Sequence, residues 1–182
     1  MTGSRIARLA QTLHEKQIDH AVLSSLASLR YLTGFTASIE TGPSPFTPVA
    51  GVFLVEREGE PHLLLADSES MEGVFGGIAT STFISYTIEK PLAAVADLKA
   101  KLLERLRMLA AGKVGIESEA LPAAVLEPLR SECPRLDFVD ITAALSEIRE
   151  SSKTTRRLRS CGSVVRCAIA VRSWPRNWLA RE

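Results

Sequence analysis

The sequence predicts an α/β domain: a mixed β-sheet flanked by helices. Three observations carry the prediction. Short apolar runs bounded by turn residues alternate with segments of helical periodicity through residues 1–150. Two of the runs are joined by a tight turn and form a β-hairpin, while the others are separated by helices, an order that implies a mixed sheet with helices packed on its faces. A long leucine stripe near the middle of the chain supplies one of those helices.

Ile6, Leu9, Ala10, Leu13 and Ile18 recur at helical spacing, so residues 4–17 form an amphipathic helix leading into an apolar strand at HAVLSS. SLASLRYLTGF is a short helix ending at Gly34, because glycine takes the left-handed conformation that closes a helix. TGPSPFTPVAG carries three prolines and is a loop. GVFLVEREGEPHLLLAD then reads as two strands around the REGE turn. SESMEGVFG is expected as a short helix and STFISYT as a strand, and Pro91 sits where proline favours a first helical turn. Behind it Leu92, Val95, Leu98, Leu102, Leu106 and Leu109 make one apolar stripe, with Asp97, Lys101, Glu104 and Arg105 left for water. KVGIES, a helix near LPAAVLEPLRSE, RLDFVDI and a last helix at ITAALSEIRE continue the alternation, with no internal repeat.

At 182 residues, 46% apolar and 24% charged, the chain is large enough for one sizeable core and too short for two. The expected organisation is a domain over residues 1–150 and a linker with a basic tail over 151–182. The tail holds eight Lys or Arg against the single acid Glu182, leaving 14 basic and 20 acidic residues in the body. A mildly acidic body gives no electrostatic reason to bind nucleic acid. Three cysteines without a CxxC argue against a disulfide framework and a zinc site and fit a reducing compartment. The N-terminus lacks a signal-peptide apolar run, and no stretch approaches the roughly 18 apolar residues of a membrane span. A cytoplasmic protein, with neither nucleic acid nor membrane as partner, is the expectation.

Catalytic constellations are mostly absent. His14, His20 and His62 show neither HExxH nor HxH spacing, and no GxSxG elbow, Walker loop or GxGxxG occurs. GVFGGIATS lacks the lysine and spacing of a phosphate loop and is read as a turn. Glu117, Glu119, Asp137 and Asp140 suggest paired carboxylates, but their places at strand ends and helix starts are explained by capping and solvation. No residue is assigned a catalytic, cofactor-binding or metal-binding role.

Two stretches carry a family likeness. RIARLAQTLHEKQIDHAVLSSLASLRYLTGF resembles the opening of the creatinase, prolidase and aminopeptidase P proteins, with an arginine-anchored helix, the IDHAVL strand and the RYLTGF segment. KVGIES, the helix after it and RLDFVDITAALSEIRESSKT resemble the end of that family's N-terminal domain, where Arg149 and the Lys153–Thr154 pair lead toward the catalytic half. The resemblance covers residues 4 to about 154. It implies a mixed sheet flanked by helices that shapes substrate access and builds the dimer of an Xaa-Pro aminopeptidase- or prolidase-like hydrolase. It also implies two divalent metal ions of the Mn, Co or Zn type, held on carboxylates and a histidine of a following pita-bread domain. None of those metal-binding motifs maps onto this chain, so the expectation is a truncated, non-catalytic domain without a cofactor of its own. By the same resemblance Tyr31, Gly34 and Phe35 would face a partner subunit's cleft; their reading from the residues is a packed helix end.

After Thr154 the family pattern calls for an acidic amphipathic helix, which the basic tail does not provide. With suitable codons, the next reading frame after Thr154 spells Asp-Glu-Glu-Ile-Ala-Glu-Leu-Arg, so a frameshifted start of the catalytic half is one account of the tail. The alternatives are a stand-alone regulatory module that pairs with a full-length relative or forms a homo-oligomer, and a basic arm that binds nucleic acid or a membrane surface with Trp174 and Trp178.

Overall fold

The computed structural model describes residues 2–37, 49–56, 61–85 and 93–150. Most of the proline-bearing loop, the REGE turn, Pro91 with Leu92, and the basic tail including Lys153 and Thr154 lie outside the described residues. The chain divides into two compact units, Met1–Leu145 and Ser146–Glu182, and the sheet lies wholly in the first.

Helix α1 (Thr2–Glu15) runs into β1 (His20–Leu23), followed by α2 (Leu26–Thr33), β2 (Gly51–Glu56), β3 (His62–Ala66), β4 (Ala79–Phe83), α3 (Ala93–Met108), β5 (Gly112–Ile116), α4 (Ala123–Glu132) and β6 (Leu136–Asp140). A last helix, α5, begins at residue 142 and is described to 150. The six strands form one mixed sheet in the order β4-β3-β2-β1-β5-β6. β1 is its pivot, antiparallel to β2 with His20 opposite Glu56 and parallel to β5 with His20 opposite Val114. β2 and β3 pair antiparallel as the expected hairpin, while β3–β4 and β5–β6 are parallel.

All of β1 and β3 is buried, as strands covered on both faces must be. On one face Val22, Val52, Leu54, Leu64, Phe83, Val114 and Ile116 pack with Leu98, Leu102, Leu103 and Leu106 of α3 and Val125 and Leu129 of α4. Residues alternate along a strand, so Leu23, Phe53, Leu63 and Leu65 meet the opposite layer, where α1 and α2 bury Leu9, Leu13, Leu29 and Leu32. The backbone at Gly51 lies between the Leu65 and Leu29 side chains, which places α2 on that face. The leucine stripe of α3 is thus the core, and Leu103 joins it.

One expected element is overturned. Residues 68–76 form turns, not a helix. Gly73 within the segment and Gly77 just after it hold φ of 82° and 84°, and the first of these a right-handed helix excludes. The amide of Phe75 donates to Thr33 O at 2.8 Å, so its hydrogen bond leaves the segment altogether. The reading of GVFGGIATS as a turn fits this conformation.

Truncating Leu102, which is fully buried between α3 and the sheet, tests the core. L102A is expected to lower the unfolding free energy by about 3 kcal/mol, read from urea midpoints with the slope unchanged.

Candidate functional site

Tyr31, Gly34 and Phe35 come together where α2 ends. Gly34, at φ 78°, donates its amide to Arg30 O at 3.2 Å and closes the helix. A side chain is excluded there: a Cβ on Gly34 would lie 2.5 Å from Gly73 O and 2.7 Å from the Phe75 ring. Thr33 Oγ1 donates to Leu29 O at 2.7 Å and accepts from the Phe35 amide at 3.2 Å. Phe35 is fully buried, and half-buried Tyr31 lies under the Arg5 guanidinium, 5.0 Å from the ring centroid. Arg5 Nη1 also donates to Tyr31 O at 2.8 Å, so the N-terminal helix is anchored on this segment by an arginine. The geometry fits the packed helix end read from the residues.

The start of α2 is built around a carboxylate. Ser25 is its N-cap, with Oγ accepting from the Ser28 amide at 3.1 Å. Glu117, just beyond β5, is 1% exposed. Its Oε2 accepts from the Ser24 and Ser25 amides, each at 3.0 Å, and its Oε1 from the Ser25 and Ser28 hydroxyls, each at 2.6 Å. The carboxylate therefore lies at the positive end of the helix and satisfies donors that no helical carbonyl reaches. Capping was expected of Glu117 and is found; solvation was expected as well, and burial overturns it. No sequence pattern marks the site, because the donors lie about 90 residues away.

The other carboxylates do not join it. Asp140 caps α5, accepting at Oδ1 from Thr142 Oγ1 at 2.6 Å, the Thr142 amide at 3.1 Å and the Ser118 amide at 3.4 Å. Those bonds, the Thr142 hydroxyl foremost, hold its carboxyl below the usual range. Glu119 and Asp137 are exposed. Asp67 Oδ1 accepts from the Ser85 hydroxyl and amide and Asp97 from the Ile84 amide, so both secure the end of β4.

The histidines are dispersed. His14 is exposed on α1, while His20 and His62 are buried in β1 and β3 with each Nδ1 unpartnered. His62 Nε2 lies 2.8 Å from Ser81 Oγ. Burial, and secondarily the positive charge of Arg105, push the imidazole below its usual pKa. Among the described residues no group of three or more His, Cys, Asp or Glu is placed to hold a metal ion, and no helix is long and apolar enough to cross a membrane.

The sequence model of the Creatinase/Prolidase N-terminal domain matches residues 5–151. No curated protein matches the chain. Among solved structures, the N-terminal domain of an X-Pro dipeptidase from Streptococcus pyogenes is similar at a TM-score of 0.57 and 19% identity, over 79% of this chain and 98% of that one. The N-terminal domain of the cytoplasmic peptidase PepQ from Mycobacterium tuberculosis gives 0.54 and 18%, over 80% and 98%. An Xaa-Pro dipeptidase from Bacillus anthracis gives 0.58 and 16%, over 81% of this chain but 35% of its own.

E117A, which strands the Ser24 and Ser25 amides, is expected to cost about 3 kcal/mol, and E117Q about half as much because one acceptor remains; denaturant unfolding measures both. His62 provides a pH test. Its folded pKa lies below the ordinary 6.5, so the unfolded state binds more protons as pH falls from about 6.5 toward the folded value. Stability is complete above that window and declines through it on acidification. Urea midpoints from pH 7.5 to 5 should fall less steeply for H62Q than for the wild type.

Proposed function

Since this chain belongs to the Creatinase/Prolidase N-terminal domain family, we propose that it is the N-terminal module of an Xaa-Pro dipeptidase-like hydrolase. In this reading it shapes substrate access and builds the dimer, while bond cleavage belongs to residues outside this chain. The observation that carries the reading is the extent of the match: residues 5–151 take in the whole sheet, β1 to β6. The chain spans about a third of the Bacillus anthracis dipeptidase, but 98% of the Streptococcus pyogenes N-terminal domain.

The pair of divalent ions that such hydrolases use to activate water does not fit the residues described. Glu117 is surrounded by serine donors, which compete with a cation for its oxygens, and Asp140 and Asp67 are engaged as caps at separate places. In this reading no step of hydrolysis is routed through the described residues. Dimer building, a cytoplasmic location and a domain boundary near residue 150 belong to the same reading.

A single preparation tests it. Purified chain with Mn or Co and an Xaa-Pro dipeptide should release no proline, and sedimentation should show self-association or pairing with a full-length relative. Proline release that scales with chain concentration would make the chain an enzyme. Sedimentation as a monomer, with no pairing, would remove the dimer role.

A further inference from the structure

Beside the C-terminal half of α3, a cleft of about 320 Å³ opens against the β2–β4 part of the sheet. That is the size of a small-molecule site. Its floor is Leu54, Leu64 and the His62–Ser81 pair; its wall is Lys101, Glu104, Arg105 and Met108. The wall residues share one face of α3, following the i, i+3, i+4, i+7 spacing, next to the face that buries Leu98, Leu102 and Leu106.

Core packing leaves three features of this place unexplained. His62 is 4% exposed with Nδ1 unpartnered, a costly arrangement for a buried polar group. Lys101 and Arg105, one helical turn apart, make no ion pair or hydrogen bond among the described residues. Met108 is 82% exposed at the rim, although an apolar side chain of that size favours burial.

We propose that the cleft binds a small carboxylate with an apolar body. Lys101 and Arg105 bracket the carboxylate, and the body lies on Leu54 and Leu64 under Met108. With His62 Nε2–H donating to Ser81 Oγ, the serine hydroxyl proton is free to point at the ligand. The wall charges set the valence: two cations and the Glu104 carboxylate leave one positive charge, with His62 neutral. A monoanion with an apolar body is matched, whereas inorganic phosphate, about half divalent at pH 7, meets Glu104 in its dianionic form and in either form has no use for the apolar floor.

The test is a titration of the full chain at pH 7 with 4-methylpentanoate, followed by the His62 ring and the amides of β3, β4 and α3 in NMR spectra. The expected result is saturable shifts confined to those elements below about 50 mM. K101Q and R105Q should each weaken binding about three- to tenfold, while 4-methylpentanamide and inorganic phosphate bind more weakly than the acid. An absence of saturation, equal affinity for the amide or for phosphate, or indifference to both substitutions would overturn the proposal. Lys101 and Arg105 make no hydrogen bond or ion pair among the described residues, so folding is expected to be retained and loss of binding is legible. The readout involves no peptide hydrolysis, and its failure leaves the family role untouched.

Discussion

A single buried carboxylate joins the early and late parts of this sheet. Glu117 leaves the end of β5 and gathers the backbone and hydroxyls that follow β1, so α2 starts where the carboxylate directs it. Burying an anion is expensive unless its lone pairs are met, and here four donors from Ser24, Ser25 and Ser28 meet them. The position of α2 then decides the other end of the helix, where Gly34 admits Gly73 and Phe75 at a distance no side chain allows. One acid thus acts on two surfaces: the helix start it touches and the turn segment that docks on the helix end.

The two layers on the sheet do different work. α1 and α2 are held by specific polar contacts: Arg5 ties α1 to Tyr31 of α2, and the Glu117–serine set ties the start of α2 to the end of β5. α3 and α4 hold chiefly by apolar area, with the Asp97–Ile84 bond to the end of β4 and the Arg107–Glu132 pair between the two helices. Beside the C-terminal half of α3, the cleft gathers His62, Lys101 and Arg105. The core ends on this side in polar and cationic groups instead of more leucine.

Much of the architecture was legible because periodicity reports burial directly. Leu98, Leu102 and Leu106 could be assigned to one face, and every one is fully buried; the hairpin followed from apolar runs around a turn. Residues 68–76 misled because Met71, Val74 and Phe75 mimic a helical stripe, while Gly73 takes a left-handed conformation and Phe75 bonds to Thr33. Glu117 could be read as a cap but not as a buried one, since an acid after a strand looks the same whether it meets water or a distant helix. The cleft was illegible for the same reason: Lys101 and Arg105 read as a solvated helix face until β3 and β4 are set beside them. Local patterns are visible in one dimension, and these sites depend on neighbours supplied by the fold.

The pivot strand also has a consequence in time. β1 pairs with β5, Val22 opposite Ile116, and such a pairing closes a very long loop before it stabilises anything. At a synthesis rate of roughly 5–20 residues per second, β5 follows β1 from the ribosome by about 5–20 seconds. Once β2 has emerged the nascent chain can pair β1 with β2 only, leaving the other edge of the pivot with its backbone N–H and C=O groups unpaired and the serines of the α2 start without their carboxylate. A nascent domain built this way is most vulnerable to wrong partners just before its fifth strand emerges.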